Sequence, residues 1–197
     1  MITQVTSAPT YLPVALGTLK EHLKLDASDT SEDVLLEAYL RASTSMAEDY
    51  VRGYFMPHTV EVYLEEWSYE TLFYGLAPMQ ALDKVEYHQG TWQELGSEHY
   101  KVALQGPVPR LRIVGDMPGL DEAIYPIRVT VQLGYSVSTD SEATQRAALD
   151  QRIVSAILLQ AARLYETRED VNTKAPSVND MIPASERLLS GLRNSYA

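Results

Sequence analysis

The 197-residue chain contains no cysteine, so it can hold no disulfide, no thiolate nucleophile and no cysteine-ligated metal. It has no apolar run long enough to span a bilayer. Its first residues, Met1-Ile2-Thr3-Gln4-Val5, lack the basic region and apolar stretch of a signal peptide. Basic charge is scarce as well. Sixteen Lys and Arg stand against 27 Asp and Glu, a formal charge of −11. Such a chain repels a phosphate backbone, which argues against gripping DNA or RNA but not against letting DNA pass. There is no internal repeat, no low-complexity tract, no glycine-rich phosphate loop, no nucleophile elbow and no HExxH motif.

The remaining chemical candidates are few. No two of His22, His58, His88 and His99 share a metal-ligand spacing on one helix. His88 and His99 facing each other across a hairpin would make a two-ligand site, and surface histidines account for the same pattern. Asp116, Asp121 and Glu122 surround Met117-Pro118-Gly119, but calcium loops alternate their oxygen ligands more densely, so a solvated turn is the plainer reading. Glu65-Glu66 and Glu169-Asp170 fall at expected element ends, where charge serves solubility. No catalytic, metal-binding or cofactor-binding residue is assigned, and an enzyme is not expected.

What the chain does have is a helix, Gln151 to Glu169, free of Gly and Pro and apolar over most of its circumference. Ile153, Ile157, Ala161 and Leu164 form one face, and Val154, Leu158, Ala162 and Tyr165 a second beside it. Leu159 interrupts the polar stripe of Arg152, Ser155, Arg163 and Glu166. So much apolar surface requires cover from several helices or from a neighbouring copy. Two helices are expected earlier. The first spans Thr10 to Leu25, with Leu16, Leu19 and Leu23 inward and Lys20 and Lys24 away from them. The second is capped by Thr30 or Ser31, presents Leu35, Ala38, Ala42, Met46 and Tyr50, and stops at Gly53.

Between them the period changes to two. Val60, Val62 and Leu64 alternate with polar residues, as do Val129, Val131 and Leu133. Leu72 to Tyr74, Val85 to Tyr87, Trp92, Tyr100 to Leu104 and Leu111 to Val114 are further strand candidates, with a hairpin at Gln89-Gly90. The expected fold is α+β: a helical bundle of two N-terminal helices and a long C-terminal one, carrying an inserted small antiparallel β-sandwich or barrel. Residues 1–57 and 144–197 form the bundle with a C-terminal arm, and 58–143 the β domain and linker. Asp170 to Pro183 reads as irregular, followed by a short helix from Ala184 to Leu192.

The order of several packing patterns adds a resemblance. Pro13-Val14 with Leu16, Lys20 and Leu23 is followed by Ala47-Glu48-Asp49-Tyr50-Val51-Arg52-Gly53-Tyr54-Phe55 and Leu76-Ala77-Pro78-Met79-Gln80-Ala81-Leu82-Asp83-Lys84-Val85. Then come Pro109 to Ile113, Val129 to Tyr135 and Ala156 to Glu169. In that order, from about Leu12 to Leu192, the chain resembles the head–tail connector (adaptor) proteins of tailed phages, in the version with a β insertion. At Ala143 to Leu149 it departs from the Pro-led helix start usual there. The resemblance implies a structural virion protein in the neck, made in the host cytoplasm. It would form a dodecameric ring between the portal protein and a tail-completion or tail-terminator protein, and continue the DNA channel without specific binding, membrane contact or cofactor.

On that reading Leu159, Ile157 and Tyr165 are expected at the subunit interface. The C-terminal residues Arg187, Leu188, Leu189, Leu192, Arg193 and Tyr196 are read either as a helix folded back on the bundle or as an arm that contacts the portal. Competing readings are another neck or tail-completion protein, a small ligand-binding or regulatory module holding a ligand among Tyr residues and Trp92, and a hydrolase with an unfamiliar site.

Overall fold

The computed structural model describes residues 1–104, 108–167 and 181–193. The chain is α+β and forms two compact units. Tyr11–Arg52 and Glu142–Arg193 make a helical unit. Gly53–Ser141 makes a β unit, to which Met1–Thr10 also belongs. The N-terminal ten residues were expected with the helices; they leave because Ile2–Ser7 forms a strand, β1, which no alternation in the sequence announces.

In the helical unit, α1 spans Leu16–Leu23, α2 Asp33–Val51, α3 Glu142–Ala147, α4 Gln151–Glu166 and α5 Pro183–Leu189, the last followed by a 3₁₀ turn at Ser190–Leu192. The long helix α4 is the centre of the unit, with α1, α2 and α5 packed on it. Ile153, Ala156, Ile157 and Ala161 are wholly covered, and Leu19, Leu36, Leu40, Ala47 and Leu189 are equally buried on the helices that pack against α4. Each large apolar side chain removed from water in this way is worth about 1.5–3 kcal/mol. The start of α4 is fixed by Asp150, whose carboxylate accepts the Arg152 backbone N–H at 2.9 Å and also pairs with the Arg152 guanidinium.

Several expectations for these helices are corrected. Pro13 lies before α1, which runs only from Leu16 to Leu23. Lys20, placed away from the core by its spacing, is buried: its ammonium pairs with Asp33 and donates to the Asp29 carbonyl at 2.6 Å. That pairing offsets the cost of removing the charge from water. Neither Thr30 nor Ser31 caps α2 through its side chain, since the N-cap position falls on Glu32. The helix ends at Val51, two residues before Gly53, with Arg52 as the left-handed C-cap at φ 56°. The expected polar linker from Gly134 to Thr144 ends in the short helix α3.

The α2 core face is the largest correction. The structure buries Leu36, Leu40, Ser43, Thr44, Ala47 and Val51, and of the expected stripe it leaves Leu35, Ala38 and Ala42 exposed and Met46 and Tyr50 half-buried. Two polar residues sit in the buried face, and Thr44 is satisfied by donating to the Leu40 carbonyl at 2.8 Å.

The β unit contains two antiparallel sheets. One has the order β1-β2-β8-β4-β5, with β2 His58–Leu64, β4 Met79–Gln89, β5 Thr91–Glu94 and β8 Ile127–Leu133. The other has the order β3-β7-β6, with β3 Glu70–Leu72, β6 Tyr100–Ala103 and β7 Arg110–Ile113. Period two in β2 and β8 sends Val60, Val62, Val129, Val131 and Leu133 to one side, where they join Val85, Leu111, Phe73 and Leu95 in one apolar cluster drawn from both sheets. The hairpin forms at Gly90, φ 74°, as its sequence requires. Gly134 is equally constrained: at φ 114°, a Cβ there would lie 2.5 Å from the Met56 carbonyl oxygen.

Candidate assembly surfaces

With its core face turned to α4, α2 directs an apolar strip the other way. Leu35, Ala38 and Ala42 recur at i, i+3 and i+7, and Val34 beside them is 86% exposed. Small side chains at two of these positions let another helix come close. The strip was read from the sequence as core; its composition is apolar enough for either role.

On α4, Leu159 is half-buried on the same stripe as the exposed Arg152, Ser155 and Glu166. Tyr165 is half-buried and donates its hydroxyl proton to Glu32 at 2.8 Å, which holds its ring against the start of α2. Ile157 is different. At 0% exposure it is a core residue of its own unit and has no surface to offer a neighbour.

The C-terminal segment is a docked helix over its described part. Ser185 donates to the Ala156 carbonyl at 2.9 Å, the Ile182 backbone N–H donates to the Gln160 side chain at 3.0 Å, and Leu189 is 0% exposed. Leu189 is therefore an anchor within the bundle and not a free contact for a partner. Arg187 remains exposed, Leu188 and Leu192 are half-buried, and the Arg193 guanidinium lies 5.5 Å from the Tyr50 ring centre. Tyr196 lies outside the described residues, as do Glu169 and Asp170.

The polar face of the five-stranded sheet is organised by register. Tyr63, Arg128 and Glu86 stand opposite one another on β2, β8 and β4. Arg128 donates to Glu86 at 2.8 Å, lies 3.7 Å from Glu61 and packs its guanidinium 4.5 Å from the Trp92 ring centre. Burial pushes the Glu86 carboxyl up, but hydrogen bonds from Arg128 and Lys84 outweigh it and hold the group below its ordinary value. The Tyr63 hydroxyl, which donates to Glu61 at 2.6 Å, is held above the ordinary phenol range, chiefly by that bond. A protonated phenol and fully paired charges make a stiff strut, not a proton-transfer site.

The histidine and acid candidates are also placed. His88 faces Trp92 across the hairpin and bonds to Asp121, while His99 pairs with Glu98, so the two-histidine site does not form. Asp121 also accepts the backbone N–H groups of Gly90 and Ala123, which fastens its loop to the hairpin and engages both of its oxygens. That bonding lowers its pKa, the His88 bond contributing most. Glu65 and Glu66 line an open groove of about 510 Å³ with Met1, Leu64, Glu70 and Tyr74, and Glu70 is held by Arg110 and Arg112.

No family model and no curated protein matches the chain. Among solved structures it is similar to a chain in the neck of an empty gene transfer agent (GTA) particle computed with C6 symmetry, with TM-score 0.78 and 18% identity, covering 100% of this chain and 97% of that one. It is similar to a chain in the virion of a native GTA particle, with TM-score 0.76 and 17% identity over the same shares. A third similar chain comes from the neck of the native GTA particle computed with C12 symmetry, with TM-score 0.72 and 18% identity, again covering 100% and 97%. At these identities the likeness establishes the fold, and it extends over essentially the whole length of both chains.

Proposed function

We propose that the protein is a structural, non-enzymatic component of the neck of a phage-like particle. It assembles into a twelve-fold ring between the portal and a tail-completion protein and continues the channel through which DNA passes. One observation carries the reading: the full-length correspondence in fold with neck chains, reaching both ends of this chain. One of those necks was computed with C12 symmetry and another with C6, and twelve subunits are compatible with both.

The chemistry of the chain supports the same reading. An excess of acidic residues suits a channel wall past which DNA slides without sticking. The outward strip of Leu35, Ala38 and Ala42, together with Leu159 and Tyr165, supplies apolar and amphipathic surface for contact between copies. Arg187, Leu188, Leu192 and Arg193 offer a partly exposed patch beside the C-terminus for the portal. The test is native mass spectrometry with negative-stain imaging, on the protein alone and with portal added. A closed ring of twelve is expected in at least one condition. A monomer that persists with portal present overturns the proposal.

A further inference from the structure

Among the described residues, four strands form the edges of the two sheets: β1 and β5 of the larger, β3 and β6 of the smaller. An edge presents unpaired backbone N–H and C=O groups to any passing chain, and proteins blunt their edges by shortness, charge or proline. Two of these edges are blunted along their length. β3 has three residues and carries Glu70, and β6 has four and carries Lys101. β5 also has four, but its one charge, Glu94, stands at the end and leaves Thr91-Trp92-Gln93 uncharged. The six residues of β1, Ile-Thr-Gln-Val-Thr-Ser, include no charge and no proline. All six are exposed, Ile2 at 48% and Val5 at 44%, and the stretch from Ile2 to Val5 pairs with β2 without interruption. A bulge follows only between Val5 and Ser7. The strand is rich in β-branched residues that suit a pleated sheet, yet no side chain of it is buried.

We propose that the free edge of β1 pairs with β5 of a neighbouring copy, so that the five-stranded sheets of successive protomers join. A bare edge is complemented by an extended backbone, and this chain itself carries an uncovered one at the far end of the same sheet. β1 and β5 are different strands, so the contact is head to tail. Each protomer that offers β1 to one neighbour leaves β5 open to the other, the arrangement that closes into rings. Main-chain hydrogen bonds supply the affinity. Ile2 and Val5 face opposite sides of the strand, so one of them adds apolar contact on the side of Trp92, the aromatic residue of β5. This inference rests on the ring reading and names the contact within it.

The absence of cysteine makes the test direct. Val5→Cys is combined in turn with Thr91→Cys, Trp92→Cys, Gln93→Cys or Glu94→Cys, which covers every register that places Val5 opposite β5. The proteins are oxidised under conditions in which imaging shows whether rings form. A disulfide needs Cα atoms within about 7 Å, so only directly paired strands will join. A ladder of covalent multimers from at least one double variant, with none from the single variants, is the expected result. Dimers from Val5→Cys alone would show β1 meeting its own copy across a twofold axis and overturn the proposal. Rings without any ladder would overturn it too, while leaving the ring reading intact. Absence of rings with portal present would remove the ring reading itself, and this contact with it.

Discussion

The side chain of Gln160 holds the C-terminal helix in place by accepting the backbone N–H of Ile182 at 3.0 Å, while its amide reaches the Met46 sulfur at 3.6 Å. One wholly buried amide thus links α2, α4 and the start of α5. Gln160→Leu should leave the Ile182 N–H without a partner and cost about 1–3 kcal/mol, read as a lower denaturant midpoint at unchanged slope. An unchanged midpoint would mean that water reaches the site.

Leu189 tests how the C-terminal segment is held. Leu189→Ala in the isolated protein should lose about 2–4 kcal/mol, as for a buried leucine. Removing all residues after Pro183 should lower thermal stability as well. If the deletion leaves stability untouched and abolishes only portal binding, the segment is a partner-bound arm and the docked helix is not its working state.

The outward strip of α2 separates assembly from folding. Ala42→Glu should change monomer stability by less than about 0.5 kcal/mol, because the site is exposed, and yet prevent ring formation. Leu159→Glu, on α4, should impair assembly in the same way. Normal rings from both variants would place the subunit contact elsewhere.

On the sheet, Arg128→Ala leaves Glu86, 8% exposed, with Lys84 as its remaining basic partner. The expected loss is about 2 kcal/mol, below the usual ~3–5 for an orphaned buried charge because Lys84 stays. Thermal melts of Arg128→Ala and of the double variant Arg128→Ala/Glu86→Gln would check it, the second recovering part of the loss.

Asp150 gives a dependence on pH. Bonds from the Arg152 side chain and backbone lower its pKa to about 2. A depressed carboxyl contributes stability above its unfolded value and loses it as pH falls, so the contribution should be complete above about pH 5 and fade towards pH 2. Asp150→Ala should cost about 1 kcal/mol at pH 7, and the gap to the parent protein should close in acid. A gap that is constant from pH 7 to pH 2 would refute the cap.

The sequence made some of this legible. The unbroken α4, the alternation in β2 and β8 and the turn at Gly90 each follow from a strong local rule. α2 was misread because two stripes compete on it. The stripe opening with Leu35-Ala38-Ala42 lost to one that buries Leu36, Leu40, Ala47 and Val51 together with Ser43 and Thr44, the last satisfied by a local hydrogen bond that spacing does not announce. β1 was invisible because Ile2 and Val5 are three apart, out of strand phase, and the strand is held chiefly by its backbone pairing with β2. Among the candidate contacts, Ile157 faces its own core, and Leu189 follows the folded-back reading of the C-terminal helix and not the arm, for a related reason. Composition distinguishes apolar from polar, but an apolar residue facing its own core reads the same as one facing a neighbour.

The chain visits the β unit twice, first with β1 and again after the whole of α1 and α2. During synthesis β1 therefore emerges long before the strand it pairs with, and must wait while both helices are made. Closing that long loop is an entropic cost met almost entirely by backbone bonds, helped by the Thr6 hydroxyl donating to the Thr59 carbonyl at 3.2 Å, since no β1 side chain is buried. The strand should be the last part of its sheet to dock and the first to open, so its amide protons should exchange well ahead of those in β8. Whatever joins its free edge will also act as a latch, converting a late, loosely held strand into an interior one.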